Sequence, residues 1–180
     1  MIGVLVSGEG TNLQALLDAG LPVVAVESNP AGAPALGRAV HAGVPAAVFE
    51  LDDYADRGAR DAAMADWLEA HSVQLVVCAG YMHLLRPSFI DRFAGRIVNT
   101  HSAPLPAFPG AHPIEDVLAA GVGETAATVH YVDEGVDTGA VIRAEAVPVH
   151  DGDTVASLRA RVQEVEHRLL PTVVRELISA

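Results

Sequence analysis

An amide and an imidazole stand two residues apart in the stretch 97–112, which reads IVNTHSAPLPAFPGAH. The stretch begins as a short apolar strand, and Asn99 and His101 follow it. Residues i and i+2 of a strand share a face, so these side chains should project together from the strand's end. Prolines 104, 106, 109 and 113 predict a stiff loop behind them. A hydrogen-bond donor beside a titratable ring suits a reaction that develops charge on oxygen, although an ordinary polar strand end would look the same.

A glycine turn near the N-terminus is a second candidate site. The apolar run 2–7 predicts a strand, and Gly8 and Gly10 separate it from Thr11 and Asn12 at the start of a helical pattern. Free backbone N–H groups at a helix N-terminus bind anions, and glycines let a phosphate approach closely. Leu13 stands where a dinucleotide fingerprint has its third glycine. A phosphomonoester therefore fits better than NAD, and a simple capped turn is the alternative.

Several other chemistries lack the residues that they need. The chain has no lysine, which excludes Schiff-base and phosphate-loop lysine chemistry. The eight histidines are scattered without a metal-ligand spacing, so we expect no metal. Cys78 lies in an apolar run and should be buried and inert. An amide, an imidazole and a carboxylate remain: Asn99, His101 and either Asp133 or Asp137.

Composition and charge limit the classes of protein. A chain of 180 residues with 51% hydrophobic content predicts one folded domain over residues 1–180. The net charge of −12, with no basic cluster, disfavours nucleic acid as a partner. No apolar run reaches the length of a membrane span and no signal peptide is visible, so we expect no membrane partner and a cytoplasmic location.

Strand and helix patterns alternate along the chain. Strands are expected over residues 2–7, 21–27, 45–49, 74–79, 97–98, 125–132 and 140–149. One helical pattern begins at Leu13, and further helical patterns cover residues 33–41, 56–70, 87–93, 113–120 and 153–178. This order predicts an α/β fold of three layers, a mainly parallel twisted sheet with helices on both faces. Ligands should bind outside the carboxyl ends of the strands, where the glycine turn and the Asn99 loop would both open.

Five sequence blocks, in order and spread over nearly the whole chain, resemble glycinamide ribonucleotide formyltransferases. They are SGEGTNLQ (7–14), AGYMHLLRPSF (79–89), NTHSAPLPAFPG (99–110), HYVDEGVDTG (130–139) and RVQEVEH (161–167). The resemblance implies a Rossmann-like formyltransferase fold whose N-terminal half binds phosphate and nucleotide, while its C-terminal half binds folate and carries catalysis. It also implies formyl transfer from 10-formyltetrahydrofolate to the amine of glycinamide ribonucleotide in purine biosynthesis.

The resemblance assigns roles to individual residues. Asn99, His101 and Asp137 match the catalytic residues: Asn99 and His101 would stabilise the oxyanion, and Asp137 would assist proton transfer. The nucleotide substrate would contact Gly10, Thr11, Asn12, Gln163 and Glu166. The pocket for 10-formyltetrahydrofolate, which acts as co-substrate, would comprise Arg57, Met82, His83, Leu84, Leu85, Asn99, Asp133, Glu134, Gly135, Val136 and Asp137. His130 is expected to be structural, and no metal is implied.

Three features depart from the family's usual pattern and bear on the shape of the folate pocket. Residues 101–106 read HSAPLP where the family usually reads HPSLLP, His83 stands where an arginine is common, and Ala107 where a basic residue is common. The alternatives to the transferase are a formyltetrahydrofolate hydrolase with the same Asn, His and Asp residues, and a non-catalytic nucleotide-binding module built on the glycine turn. A monomer and a homodimer are both compatible with the sequence.

Overall fold

A computed structural model gives the fold and describes residues 1–179. One seven-stranded sheet has the order β3-β2-β1-β4-β5-β6-β7. Its strands are β1 (Ile2–Val6), β2 (Val23–Ser28), β3 (Ala46–Val48), β4 (Leu75–Cys78), β5 (Ile97–His101), β6 (Glu124–Tyr131) and β7 (Val141–Pro148). The helices are α1 (Thr11–Asp18), α2 (Pro34–His41), α3 (Arg57–Ala70), α4 (Pro87–Ile90), α5 (Pro113–Ala120) and α6 (Val155–Ser179).

The sheet is mainly parallel, as the sequence predicted. Strands β1 to β5 pair in parallel, whereas β6 and β7 are antiparallel to their neighbours. A hairpin-like connection can join antiparallel strands without a helix, which explains why no helix lies between β6 and β7. The strand predicted over residues 97–98 is longer than expected and runs to His101, because its last residues pair with β6.

Helices cover both faces of the sheet and create two hydrophobic cores. Helices α1, α2, α5 and α6 pack on one face around Val4, Val77 and Val98. Helices α3 and α4 pack on the other face around Leu5, Val76 and Ile97. The expected three-layer arrangement is therefore confirmed.

The longest helix, α6, joins the first core through a buried stripe and contains Pro171. It begins directly after Thr154, whose hydroxyl accepts a hydrogen bond from the Ser157 N–H at 3.1 Å, a typical N-terminal cap. The sequence predicted that this helix starts two residues earlier, at Asp153. It also allowed for a bend at Pro171, and the helix continues through that residue. None of the helices within residues 1–179 combines the length and the apolar character that crossing a membrane requires.

Candidate active site

Strands β5 and β6 place the predicted catalytic side chains on one face of the sheet. Asn99 lies directly opposite Cys78 of β4 and opposite His130 of β6. Directly opposite residues point to the same face, and His101 follows Asn99 by two positions. Since Cys78 packs in the core beneath α3, this is the α3 face. The prediction that Asn99 and His101 share a face is confirmed, but both lie within β5, not beyond its end.

Asp137, in the loop between β6 and β7, reaches both histidine rings. Its Oδ2 atom lies 3.5 Å from Nδ1 of His101 and accepts a hydrogen bond from the Gly110 N–H at 2.8 Å. Its Oδ1 atom lies 3.5 Å from Nε2 of His130. Burial alone would raise the pKa of Asp137, but the hydrogen bonds from His130 and Gly110 and the charge of His101 outweigh it and lower that pKa. The carboxylate is therefore held ionised between two rings.

The other nitrogens of the two rings bind main-chain oxygens. Nε2 of His101 donates to the carbonyl oxygen of Phe108 at 2.7 Å, so Nδ1 is the nitrogen that faces Asp137. Nδ1 of His130 donates to the carbonyl oxygen of Tyr131 at 2.8 Å, and its Nε2 faces both Asn99 at 3.2 Å and Asp137 at 3.5 Å. This Nε2 atom donates to Asp137 when the ring is protonated and accepts from the Asn99 amide when the ring is neutral. His101 is only 6% exposed and lies behind Asp137, whereas Asn99, His130 and Asp137 line the cleft itself.

A cleft opens in front of this cluster, and most of the predicted folate-binding residues line it. Its walls are the segment after β4 and the loop between β6 and β7. The predicted residues that line it are His83, Leu84, Leu85, Asn99, Asp133, Glu134, Gly135, Val136 and Asp137. Tyr81 adds an aromatic ring beside them. The lining combines apolar side chains such as Leu84 and Leu85 with polar ones, among them the carboxylates of Asp133, Glu134 and Asp137. Apolar walls with a few placed polar groups are the usual form of a small-molecule site.

Two of the residues predicted for the folate pocket lie outside this cleft. Met82 is 66% exposed, and its N–H donates to the hydroxyl of Ser7 at 2.9 Å. Arg57 is the exposed first residue of α3 and lines a separate shallow groove together with Arg86. Its charge still reaches the cleft wall, because burial and the charges of Arg60 and Arg57 together lower the pKa of His83.

The glycine turn has the geometry of an anion site. Helix α1 begins after Gly10, which adopts a left-handed conformation with φ of 72°, and no side chain caps the helix. The first N–H groups of a helix have no partner inside it, so those of α1 are left for an external acceptor. A Cβ atom on Gly10 would lie 2.5 Å from the Cβ of Ala35, which means that only glycine fits there.

A buried carboxylate connects the glycine turn to helix α6 and to the loop after β5. Glu166 is 4% exposed and accepts hydrogen bonds from Asn12 at 3.0 Å and from Ser102 at 2.6 Å. The structure therefore brings together Asn12 and Glu166, which are 154 positions apart. Gln163 lies one turn earlier on α6 and is half-buried. The Oδ1 atom of Asn12 is buried without a partner among the described residues and remains an acceptor for a ligand.

Sequence reasoning missed the position of His130 in this cluster. Only the register of β6 on β5, which sets His130 opposite Asn99, brings its ring to Asp137. A histidine alternating in a strand gives no sign of which residue it will face. Within residues 1–179 no three His, Cys, Asp or Glu side chains are grouped as metal ligands.

Comparison with known proteins bears on the identity of this arrangement. The model of the formyl transferase family matches residues 1–174. A protein of Mycobacterium tuberculosis (strain ATCC 25618 / H37Rv) named phosphoribosylglycinamide formyltransferase is 45% identical, over 97% of this chain and 83% of its own length. The trifunctional purine biosynthetic protein adenosine-3 of Chironomus tentans is 42% identical, and the chain, matched over 99% of its residues, spans 14% of that protein's length.

Solved structures of the same kind superpose closely on the fold. The phosphoribosylglycinamide formyltransferase of Streptococcus pneumoniae TIGR4 is 44% identical, has a TM-score of 0.95, and is matched over 98% of both chains. The glycinamide ribonucleotide transformylase 1 of Symbiobacterium toebii is 46% identical, also with a TM-score of 0.95, over 97% of this chain and 85% of that chain. Because the family model matches nearly the whole of this chain, the chain belongs to the formyl transferase family.

Proposed function

We propose that this protein transfers a formyl group from 10-formyltetrahydrofolate to the amine of glycinamide ribonucleotide in purine biosynthesis. Membership of the family implies a folate-type co-substrate, and the names of the relatives indicate the nucleotide acceptor. The observation that carries the proposal is the position of Asp137, which lines the cleft and lies within 3.5 Å of His101 and of His130.

The reaction that we infer is a direct transfer without a covalent enzyme intermediate. The amine nitrogen of the nucleotide attacks the formyl carbon, a new C–N bond forms, and the bond from that carbon to N10 of the folate breaks. One amine proton moves to N10, so the products are formylglycinamide ribonucleotide and tetrahydrofolate. The cluster offers an amide, two imidazoles and a carboxylate for this work, and Cys78, 5% exposed, takes no part.

Asn99 and His101 have distinct parts in this proposal. The Asn99 amide lines the cleft and donates towards the tetrahedral oxyanion, an interaction that strengthens as the charge develops. His101 supplies positive charge when protonated and ion-paired with Asp137. For Nε2 of His101 to contact the oxyanion directly, the ring must exchange the Phe108 carbonyl oxygen for the substrate.

Asp137 transfers the proton from the attacking amine to N10 of the folate. Its ionised carboxylate lies at the cleft and accepts hydrogen bonds, so it can receive a proton from the attacking amine and return it to the leaving nitrogen. Holding both substrates in line above this group supplies a further share of the acceleration.

Binding roles follow from the remaining predicted residues. The uncapped start of α1, with Gly10, Thr11 and Asn12, would hold the phosphate of the nucleotide, and Gln163 and Glu166 would also contact the nucleotide. The cleft lined by Leu84, Leu85 and Asp137 would hold the pterin ring, and Arg57 in the neighbouring groove stays a predicted folate contact. The single domain over residues 1–180, a monomer or homodimer, and the cytoplasmic location stay predictions.

The decisive test is a turnover assay with and without glycinamide ribonucleotide. We expect tetrahydrofolate to form only when the nucleotide is present, with one formylated nucleotide for each tetrahydrofolate. Formyl release to water without nucleotide would identify a hydrolase. Nucleotide binding without any turnover would identify a non-catalytic binding module. Asn99→Ala should lower kcat about 10²–10³-fold. Gln74→Ala, at the exposed opposite end of the sheet, is the matched control and should keep full activity.

A further inference from the structure

A fully buried arginine lies beneath the cleft wall, outside the catalytic cluster. Arg60 and its neighbour Asp61 are both 0% exposed, on the face of α3 that packs against the sheet. The Nε and Nη2 atoms of Arg60 donate to one oxygen of Asp61 at 2.9 and 2.7 Å. A buried ion pair of this kind contributes little net stability, because desolvation offsets the attraction. The third nitrogen of the guanidinium, Nη1, bonds to a residue of the cleft wall.

That third donor fixes the protonation pattern of His83. Nη1 of Arg60 lies 2.7 Å from Nδ1 of His83, and a guanidinium can only donate, so Nδ1 must accept. A neutral His83 then carries its proton on Nε2. The structure places Nδ2 of Asn29 3.0 Å from this Nε2 atom and Oδ1 of Asn29 at the Ser7 hydroxyl. Two donors cannot share one hydrogen bond, so the carboxamide must be flipped, with its oxygen towards His83 and its nitrogen towards Ser7. Both ring nitrogens of His83 are then hydrogen-bonded within the protein.

The same residues hold the segment that forms the cleft wall. Residues 79–86 connect β4 to α4 without regular secondary structure. Besides the contacts of His83, the Met82 N–H is bonded to Ser7 at 2.9 Å, and the Arg86 N–H is bonded to the second oxygen of Asp61 at 2.7 Å. Arg60 and Asp61 thus hold the segment at two points, and the residues between these points line the cleft.

We propose that Arg60 is a positioning residue for the co-substrate: it holds His83 in the cleft wall so that the ring offers carbon surface but no free ring nitrogen. This inference rests on the proposed function. Tyr81, whose ring centroid lies 5.9 Å from that of His83, continues the same surface. Burial and the charges of Arg60 and Arg57 lower the pKa of His83, which keeps the ring neutral. Such a wall accepts a flat uncharged ring, such as a pterin, in preference to an anion.

Steady-state kinetics of a variant that removes the pair test this role. Arg60→Met alone would leave Asp61 charged and buried, so the main variant is Arg60→Met with Asp61→Asn, which keeps an acceptor for the Arg86 N–H. We expect the KM for 10-formyltetrahydrofolate to rise about tenfold, the value of one or two lost hydrogen bonds. The KM for the nucleotide and kcat should change by less than about threefold. Arg60→Lys, which retains one donor, should recover part of the loss.

Arg143→Met is the matched control, because this arginine forms an exposed ion pair with Glu176. It should leave both KM values unchanged. An unchanged KM for the folate in the Arg60 variant would overturn the proposal, and so would equal changes in both KM values and kcat.

Equilibrium dialysis with folic acid separates this inference from the proposed function. If the unaltered protein binds folic acid without catalysing transfer, and the Arg60 variant binds it about tenfold more weakly, the positioning role stands while the proposed reaction fails. If the unaltered protein binds no folic acid and transfers no formyl group, both proposals fail.

Discussion

Replacing Gly10 by alanine tests the link between the glycine turn and nucleotide binding. The residue has a φ of 72°, and an added Cβ would lie 2.5 Å from the Cβ and 2.9 Å from the Cα of Ala35 at the start of α2. The left-handed conformation costs an alanine about 1–2 kcal/mol. Overpacking against another helix adds about 1–3 kcal/mol, because the contacted atoms include backbone that cannot rotate away.

The free energy of unfolding should therefore fall by about 2–5 kcal/mol, a large share of the roughly 5–15 kcal/mol of a typical domain. With a urea dependence of about 2 kcal/mol per molar, the midpoint should drop by about 1–2.5 M. The start of α1 must move to relieve the contact, so the KM for glycinamide ribonucleotide should rise while the KM for the folate stays nearly unchanged. Urea unfolding and the two KM values measure these effects.

Gly8→Ala provides the matched comparison in the same turn. An added Cβ there meets nothing within 4 Å, so the unfolding free energy should change by less than about 0.5 kcal/mol. Equal urea midpoints for the two variants would refute the packing argument. A destabilised Gly10→Ala protein with an unaltered KM for the nucleotide would refute the assignment of the phosphate to this turn.

Three further predictions concern buried or clustered groups. Asp137→Asn keeps the shape but loses the charge between the two histidines, so kcat should fall about 10²–10⁴-fold, whereas exposed Asp151→Asn should not change it. Burial and the charge of Asp61 raise the pKa of Glu27 well above its ordinary value. As the pH rises, Glu27 therefore ionises in the unfolded chain before it ionises in the folded protein. The free energy of unfolding should fall by about 1.4 kcal/mol per pH unit above about pH 4.3, until the folded-state pKa is passed. Glu27→Gln should abolish that loss, which urea unfolding at a series of pH values above about pH 4.3 measures. Burial raises the pKa of Cys78 to about 12, so iodoacetamide should label it only after unfolding, and labelling of the folded protein at neutral pH would contradict the burial.

The alternation of strands and helices was predictable because each element carries its own periodic signal. Apolar runs marked β1, β2 and β4, and the stripe of α6 marked the longest helix. The ends of the elements were less accessible. β5 is longer than its apolar residues suggest, because pairing with β6 extends it through Asn99 to His101, and such pairing depends on a strand that comes later in the chain.

Helix α3 shows that apolar residues mark only part of a buried face. The sequence predicts an apolar face formed by residues 62, 63, 65, 67 and 68; Ala65 and Leu68 are fully buried, whereas Ala62, Ala63 and Trp67 are only half-buried. The buried face also carries Arg60 and Asp61. Hydrophobicity alone cannot identify a buried ion pair, since the partners that satisfy it, such as His83, come from other elements. A helical wheel that ranked positions by spacing, with 60, 61, 64, 65 and 68 on one side, would have contained the signal.

The position of Asp137 depends on backbone geometry that no residue pattern near it displays. β6 is antiparallel to β5, so the chain leaves β6 at the level of the start of β5 and must fold back over the sheet to reach His101. Asp137 has a φ of 53°, a left-handed conformation that aspartate tolerates better than most residues. Gly139 lets the chain rejoin the sheet, because a Cβ there would lie 1.8 Å from the Tyr131 carbonyl oxygen. The sequence indicated that one aspartate of the loop between β6 and β7 reaches the cluster. Choosing Asp137 over Asp133 required either the family's pattern or the path of this loop over the sheet. Asp133 instead accepts hydrogen bonds from Gly135 and Thr138 within its own loop.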